Sequence, residues 1–248
     1  MRTIDPNDDM SDNSVGISEW FLNHCITETE VEEAKEFSIH STANNGDCLF
    51  HAIRLCLFSM MKNPYTSREL RRGVAKTILN ADDARAKNAL QMWKAVVESA
   101  KGDAGEIDHE LIHDYLFAIP LITAEADSDG IFPQHIRQQV HDNMLQSNLY
   151  WGDQYAILVL EELLNLRFVI LKKNYSKKLN NFVIEKQVPV EHDLPKPFQP
   201  KWKIILALDN VHYMPIFKSI TPLDPESLPY QTAFSTLPMF VERCPNKH

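Results

Sequence analysis

The feature most suggestive of chemistry is the segment NNGDCLFHAI at residues 44–53, where a polar, glycine-containing turn runs into an apolar helical pattern at Cys48. A cysteine becomes a nucleophile when its thiolate is favoured. The first turn of a helix favours the thiolate, because unpaired N–H groups and the helix dipole stabilise negative charge there. The same turn can direct backbone N–H groups at one point, as an oxyanion hole requires. Taken alone, this position fits a nucleophile and a small buried apolar residue equally well.

The other three cysteines have no such setting. Cys25, Cys56 and Cys244 lack a polar turn, and we expect them to be small buried residues. No two cysteines form a CxxC pair, which argues against a structural zinc site. Four cysteines in 248 residues do not make a disulfide framework, so reduced thiols in a cytosolic compartment are expected.

A cysteine nucleophile needs a base, and His212 is the strongest candidate among the ten histidines. It follows a turn and begins an apolar strand pattern, where a polar side chain is expected to have a hydrogen-bond partner or a functional role. Its position late in the chain fits the usual two-part arrangement of cysteine proteases, in which a helix carries the thiol and a strand carries the imidazole. Surface or hydrogen-bonded roles are expected for His24, His40, His51, His109, His113, His135, His141, His192 and His248.

The predicted elements change from helices to strands along the chain. Helices are predicted over residues 18–37, 48–61, 67–79, 83–99, 106–118, 133–147 and 154–165, and strands over 167–172, 181–188, 202–208 and 212–217. The second of these helices is apolar nearly all round and should be buried. Ser67 and Asp153 are predicted N-caps, and Asp209 and Asn210 mark a hairpin turn. Because helices precede strands rather than alternating with them, a single α+β domain is expected.

The composition narrows the class of protein. The net charge is −9, with 44% hydrophobic and 24% charged residues, as in ordinary globular proteins. No apolar run approaches the length of a membrane span, and the polar N-terminus lacks the apolar core of a signal peptide. An acidic chain without a basic run is an unlikely binder of nucleic acid, and it suits a neutral or basic protein partner. A cytoplasmic location is expected.

Three blocks of the sequence resemble, in order, the OTU (ovarian tumour) family of deubiquitinating cysteine proteases. NNGDCLFHAI is similar to the family's D-G-N-C-L-F-x-A-I signature. Trp151-Gly152-Asp153, followed by an apolar helix and LLNLRFVIL, resembles the family's W-G-G segment, helix and strand. IILALDNVHYMPI resembles its terminal strand, turn and strand carrying H-Y. One block alone would be a weak motif, whereas three blocks in order form a specific signal.

The resemblance implies an α+β, papain-like OTU fold in which helices flank a small twisted β-sheet. It implies hydrolysis of the isopeptide or peptide bond after the C-terminal glycine pair of ubiquitin, through an acyl-enzyme thioester. Cys48 would be the nucleophile, and His212 the general base and later the acid. Backbone N–H groups of the turn at 45–48, including that of Asp47, would hold the oxyanion. The reaction requires no cofactor or metal, and the expected partner of this monomer is ubiquitin or polyubiquitin.

The sequence departs from the family pattern at the residue that orients the histidine. The family usually has Asp or Asn two positions after the histidine, where this chain has Met214, which cannot accept the imidazole N–H bond. Some family members take the orienting residue from the segment before the cysteine. The candidates are Asn45, which we choose, and Asn44, Ser41, Asp209 and Asn210. Asn45 and Asp47 stand where the family usually has Asp and Asn, and Asp47 is expected to act through its backbone.

The extent of the resemblance suggests the domain boundaries. Residues 1–16 are predicted to be a disordered acidic tail, 17–218 an OTU-like catalytic domain, and 219–248 a Pro-rich C-terminal extension. The enlarged helical lobe at about 64–147 either grips ubiquitin or extends the core. Trp151 either walls the channel that admits the glycine pair or caps the core at a helix start.

Three functions stay open on the sequence. The first is an active deubiquitinase. The second is a catalytically silent ubiquitin-binding module, which Met214 favours and the intact Cys48 and His212 disfavour. The third is a cysteine protease for another ubiquitin-like modifier or for a peptide. The divergent sequence suggests a bacterial effector or a viral member, acting in a host cytoplasm.

Overall fold

The computed structural model describes residues 15–16, 27–42, 46–58, 60, 64–101, 106–110, 112–176, 181–187, 200–220 and 230–244. The helices are α1 (Glu28–Ala34), α2 (Cys48–Phe58), α3 (Ser67–Thr77), α4 (Ala84–Ser99), a 3₁₀ helix (His113–Leu121), α5 (Gln134–Met144), α6 (Gln154–Leu164) and α7 (Met239–Glu242). The strands are β1 (Val15–Gly16), β2 (Phe37–Ile39), β3 (Leu166–Ser176), β4 (Asn181–Gln187), β5 (Trp202–Asp209), β6 (His212–Ser219), β7 (Tyr230–Gln231) and β8 (Ala233–Phe234). The first of two compact units comprises Met1–Asn44, Cys48–Ser67 and Leu164–His248, and the second comprises Asn45–Asp47 and Arg68–Leu163.

The first unit is built on one mixed sheet. Its strands follow the order β1-β2-β6-β5-β3-β4, with β7 beside β6 and β8 beside β5. Strands β3 and β5 are parallel, and the other neighbouring pairs are antiparallel. Strands β5 and β6 form a hairpin in which Asp209 pairs with His212. The strand that begins with His212 therefore lies inside the sheet, between β2 and β5.

The central strands bury side chains on both faces, which explains their nearly continuous apolar sequences. On β3, Val169 and Leu171 lie on one face and Phe168 and Ile170 on the other, because successive side chains alternate. The first face joins α1 and α7 in a cluster of Ala34, Phe37, Ile39, Val169, Leu171, Ile184, Ile205, Ala207, Ile216, Phe234, Phe240, Val241 and Cys244. Helix α2 packs against β6. Its buried residues are Cys48, Leu49, Phe50, Ala52, Ile53, Cys56 and Leu57, as the all-round apolar pattern predicts.

The second unit is helical and centres on a group of buried aromatic rings. The ring of Trp93 meets that of Phe117 edge-on at 4.8 Å, and Phe117 meets Tyr150 at 4.7 Å. The Asp153 carboxylate accepts hydrogen bonds from the Trp93 indole (2.9 Å), the Tyr150 hydroxyl (2.8 Å) and the Ala156 backbone N–H (3.1 Å). Burial raises the pKa of Asp153, while these bonds act in the opposite direction. One carboxylate thus caps α6 and satisfies the polar atoms of two core aromatics.

Most of the predicted elements are confirmed. Helices α2 to α6 and strands β3 to β6 occupy the segments predicted for them, and Asp153 caps α6. The hairpin turn after Asp209 is also present, with Asn210 in the left-handed region at a φ of 54°. Ser67 is the first residue of α3, and its hydroxyl lies 3.0 Å from His51 Nδ1. The α+β class predicted from the order of the elements is confirmed.

The helix predicted over 106–118 is wrong. This part of the chain forms the 3₁₀ helix His113–Leu121, and Ile107 pairs with Lys101 in an isolated β-bridge. The backbone leaves the helical region at Tyr115, with a φ of −123° and a ψ of 17°, so no regular helix runs through this segment.

The helix predicted over 18–37 is shorter in the structure. Helix α1 begins at Glu28, where Thr27 and Glu30 form a reciprocal capping box. Its continuation is replaced by β2 from Phe37 onward. The β-branched and aromatic residues there gain more from pairing with β6 than from helical propensity. Residues 18–26 lie outside the described residues.

Residues 230–244 contribute directly to the first unit. Strands β7 and β8 extend the sheet, and Phe240 and Val241 of α7 are buried. The Thr232 hydroxyl donates to the Cys56 carbonyl oxygen of α2 at 2.6 Å. The boundaries at 1–16, 17–218 and 219–248 stay predictions.

Candidate active site

Cys48 is buried at the first position of α2. Its Sγ lies 3.7 Å from the backbone carbonyl oxygen of Val211, close enough for the thiol to donate a weak hydrogen bond. Val211 directly precedes His212 in the chain. The fold therefore brings the thiol at the start of one helix to the turn that leads into the imidazole.

The position of His212 is set by the hairpin between β5 and β6. A two-residue turn of Asn210 and Val211 joins Asp209 to His212, which pair across the strands. The ring is partly buried at the mouth of the sheet. Burial lowers the pKa of His212 below its ordinary value of 6.5, while a backbone hydrogen bond of Thr42 and the charge of Asp209 act to raise it. The neutral imidazole, which can accept a proton, is the form that burial favours.

The two ring nitrogens of His212 have different surroundings. Nε2 lies 3.4 Å from the hydroxyl oxygen of Thr42, which in turn donates to the Tyr213 carbonyl oxygen at 2.7 Å. Nδ1 is buried and has no hydrogen-bond partner among the described residues. Thr42 itself is almost fully buried, with 6% of its surface exposed. The two ring nitrogens therefore differ in their hydrogen bonding.

Among the described residues, those predicted to orient His212 do not hydrogen-bond its ring. Met214 packs against the apolar cluster of the sheet and offers no acceptor. Ser41 bonds to the Thr42 carbonyl, and Asp209 lies 3.5 Å from the Lys173 ammonium. Within the described part of the chain, no side chain of Ser41, Asp209 or Asn210 hydrogen-bonds the ring of His212. The preferred candidate, Asn45, and the alternative Asn44 lie outside the described residues.

In the second unit, the residues that precede Cys48 in the chain are held in a tight turn. A Cβ atom added to Gly46 would lie 1.4 Å from the Ser147 carbonyl oxygen and 3.1 Å from Trp151 Cδ1. The position therefore requires glycine because the backbone of another segment is too close for any side chain. Trp151 is partly buried and meets the ring of His113 edge-on at 5.5 Å. Its indole thus forms one wall of the turn.

Arg71 of α3 fixes the same turn through several hydrogen bonds. Its Nε donates to Asp47 Oδ1 at 2.8 Å, and its Nη2 lies 2.6 Å from the same oxygen. Nη2 also donates to the Gly46 carbonyl oxygen at 2.7 Å. Nη1 donates to the carbonyl oxygens of Met144 (2.8 Å) and Tyr150 (2.6 Å). The carboxylate of Asp47 is therefore engaged by a guanidinium that is itself 3% exposed.

The remaining described cysteines and histidines have ordinary structural roles, as expected. Burial raises the pKa of Cys56, and it raises that of Cys244 to about 11. The ring of His40 bonds to Ser38 at 2.8 Å and packs on Phe217. His51, His113 and His141 bond to Ser67, Asp114 and Asp142. Cys25 lies outside the described residues.

Two residues of this region were missed in the sequence. Arg71 lies three and four residues before Val74 and Ala75, so a charge falls within the apolar stripe of α3. Since arginine is rarely buried without partners, that position was a usable signal. Thr42 gave no comparable signal, because its contact with His212 joins residues that are 170 positions apart.

No described group of three or more His, Cys, Asp or Glu side chains is arranged to hold a metal ion. Within the described residues, no helix has the length and apolar character needed to cross a membrane.

The sequence profile of OTU-like cysteine proteases matches residues 43–213, well over half of the chain and a span that includes both Cys48 and His212. The class is thus that of a cysteine protease. The chain belongs to the OTU-like cysteine protease family, which confirms the resemblance drawn from the three sequence blocks.

Several solved structures of OTU proteins align with the chain at low sequence identity. An OTU deubiquitinase from Wolbachia pipientis wMel bound to ubiquitin aligns with a TM-score of 0.43 and 11% identity, covering 74% of this chain and 96% of that one. An OTU domain in complex with ubiquitin gives 0.39 and 16%, covering 80% and 74%. The viral OTU protease of Dera Ghazi Khan virus gives 0.35 and 16%, covering 73% and 80%. No curated protein sequence matches the chain significantly.

Proposed function

We propose that this protein is a deubiquitinase that hydrolyses the isopeptide bond after the C-terminal glycine pair of ubiquitin. Membership of the OTU-like cysteine protease family supports the reaction type. The observation that carries the proposal is the meeting of Cys48, at the start of α2, with the turn leading into His212. The choice of ubiquitin as substrate rests on the resemblance of three sequence blocks to deubiquitinating members of the family.

In the proposed reaction, His212 takes the proton of the Cys48 thiol, and the thiolate attacks the carbonyl carbon of the terminal glycine of ubiquitin. The carbonyl oxygen becomes an oxyanion. The C–N bond then breaks, His212 gives its proton to the departing lysine amine, and a thioester to Cys48 remains. Water, losing a proton to His212, attacks the thioester and releases the ubiquitin carboxylate and the thiol. No cofactor enters any of these steps.

The backbone N–H of Asp47 is proposed as a donor to the oxyanion, together with that of Cys48. A trans peptide directs its C=O and its N–H to opposite sides. Because the Gly46 carbonyl bonds to Arg71, the N–H of Asp47 in the same peptide points away from that guanidinium. The Asp47 carboxylate is also bound by Arg71, which leaves the backbone as the group that Asp47 can offer.

Trp151 is proposed to border the channel for the glycine pair. Its indole lies beside Gly46 in the same unit and is partly exposed, which supports its role as a wall of that channel. Glycine residues pass such a wall where larger residues do not. The role predicted for Asn45, to orient the ring of His212, stays a prediction, since Asn45 lies outside the described residues.

Covalent capture tests the proposal. The protein is incubated with ubiquitin that carries an electrophile at its C-terminus, alongside the variants Cys48→Ala and His212→Ala. We expect a conjugate with the unaltered protein, none with Cys48→Ala, and strongly slowed labelling with His212→Ala. Cys244→Ala and His135→Ala are matched controls, since Cys244 is a buried core thiol and His135 is exposed on α5; both should label normally.

If the ubiquitin probe does not label the protein but a probe built on another ubiquitin-like modifier labels Cys48, the substrate is that modifier rather than ubiquitin. If no probe labels but ubiquitin binds in a titration, the protein is a silent binding module. Labelling that survives in Cys48→Ala would overturn the assignment of the nucleophile.

A further inference from the structure

The hydroxyl of Thr42 contacts one of the two ring nitrogens of His212. Thr42 Oγ1 donates its hydrogen to the Tyr213 carbonyl oxygen at 2.7 Å. Because a hydroxyl has one hydrogen and two acceptor lone pairs, Thr42 acts as an acceptor toward His212 Nε2 at 3.4 Å. A neutral imidazole in this contact carries its hydrogen on Nε2 and leaves a lone pair on Nδ1.

The sheet places Thr42 at this point. Ile39 of β2 pairs with Ile216 of β6, and the next residue, His40, donates its backbone N–H to the Pro215 carbonyl at 3.1 Å. The Thr42 hydroxyl then reaches the Tyr213 carbonyl, so a side chain continues the series of bonds along β6. As a β-branched residue, threonine also has few side-chain rotamers. Thr42 is therefore a rigid acceptor whose position is fixed by backbone pairing.

The other ring nitrogen of His212, Nδ1, is buried and makes no hydrogen bond to a described residue. A buried polar atom without a partner is costly, and such atoms concentrate where a structure reserves them for chemistry. Val211 contacts the Cys48 thiol, so the unpartnered nitrogen belongs to the residue that directly follows this contact in the chain.

We propose that Thr42 is the positioning residue for His212, in the role that Asp or Asn two places after the histidine has in most of the family. Its hydroxyl holds the hydrogen on Nε2, so that Nδ1 accepts the proton when the S–H bond of Cys48 breaks. The same Nδ1–H then delivers that proton to the leaving amine. Thr42 thereby takes the role that the sequence analysis assigned to Asn45. Met214 then no longer argues for a catalytically inactive protein. The inference rests on the proposed thiol-protease function.

Steady-state cleavage of a ubiquitin substrate by Thr42→Val, Thr42→Ser and Asn45→Ala tests the kinetic consequence. Thr42→Val keeps the shape of the side chain and removes the hydroxyl. We expect its kcat to fall about 10- to 100-fold with KM nearly unchanged, because only the proton-transfer step loses its orientation. Thr42→Ser should recover most of kcat, and Asn45→Ala, which removes the rival candidate, should lower kcat less than Thr42→Val does. A thermal unfolding curve for each variant confirms that the fold is retained.

A second readout does not depend on activity. The ¹⁵N resonances of the His212 ring, recorded in the Cys48→Ala chain at a pH where the ring is neutral, report its tautomer. Hydrogen on Nε2, changing to a mixture in Thr42→Val, is the expected result. Hydrogen on Nδ1 with Thr42 in place, or a full loss of kcat in Asn45→Ala with none in Thr42→Val, would overturn the proposal. If the unaltered protein cleaves no ubiquitin substrate, the proposed function fails, while the tautomer still decides the role of Thr42.

Discussion

His212 and Arg71 are two basic side chains withdrawn from solvent, and their surroundings are opposite. Each nitrogen of the Arg71 guanidinium has a partner. The acceptors are Asp47 Oδ1 and the carbonyl oxygens of Gly46, Met144 and Tyr150. His212 has one long contact at Nε2 and, among the described residues, none at Nδ1. The hydrogen-bonding groups of the arginine are all used, whereas the histidine has a ring nitrogen, Nδ1, without a hydrogen bond to a described residue.

This difference separates structural from chemical use of a polar group. A saturated network fixes a conformation, and loss of any member leaves buried acceptors unpaired. A group that must exchange protons cannot be saturated, because it needs a free lone pair in the resting state. We therefore expect substitutions at His212 to change rate with little effect on stability, and substitutions at Arg71 to change stability first.

The largest effect is predicted for His212→Gln. Loss of a general base costs roughly 10²- to 10⁴-fold in rate, so kcat for a ubiquitin substrate should fall within that range. The free energy of unfolding should change by less than about 1 kcal/mol, because the ring has few bonds to lose. Parallel kinetics and urea unfolding measure both quantities, with exposed His135→Gln as the control. A large loss of stability in His212→Gln would contradict the contrast with Arg71.

Next in size is Arg71→Met, which keeps much of the side-chain volume and removes the charge. Breaking a buried, hydrogen-bonded ion pair costs about 3 kcal/mol or more, since the turn carbonyls and Asp47 lose their donor. Urea unfolding should show this loss. The adjacent, exposed Arg72→Met is the matched control and should change the unfolding free energy by less than about 0.5 kcal/mol. Equal stability of the two variants would show that the guanidinium network contributes little.

A smaller loss is predicted for Gly46→Ala. The new Cβ would meet the backbone of Ser147, which cannot turn aside as a side chain could. Overpacking of this kind costs about 1–3 kcal/mol, and it would also displace the turn that Arg71 holds. Gly73→Ala on α3 is the comparison, because its Cβ meets only the end of the Leu163 side chain, at 2.9 Å. Alanine also favours the helix there, so Gly73→Ala should be close to neutral in thermal unfolding.

The sequence predicts contacts between neighbouring residues better than contacts between distant segments. Elements with strong periodicity and local caps, such as α2, α6 with Asp153, and the hairpin before His212, follow from neighbouring residues. Pairing between distant segments does not. Thr42 reaches Tyr213 because β2 lies beside β6, and no local pattern encodes that contact.

Two predicted helices differ from the structure. The helix predicted over 106–118 followed an apolar stripe, whereas the backbone leaves the helical region at Tyr115. The long helix ending at residue 37 ignored the pairing of Phe37–Ile39 with β6, which is a tertiary gain that propensity does not contain. In both places the periodic pattern alone did not determine the backbone conformation.

The smallest predicted effect is a pH dependence of stability. Burial lowers the pKa of His212 below 6.5, while a backbone hydrogen bond of Thr42 and the charge of Asp209 act to raise it. Between that lowered pKa and 6.5 the unfolded chain binds more protons than the folded chain, so the free energy of unfolding should decrease as pH falls through this window. His212→Gln should make the decrease shallower. His40, whose pKa burial also lowers, contributes in the same direction, and His40→Gln measures its share. An unchanged slope in His212→Gln would show that the ring is as easily protonated in the folded protein as in the unfolded chain.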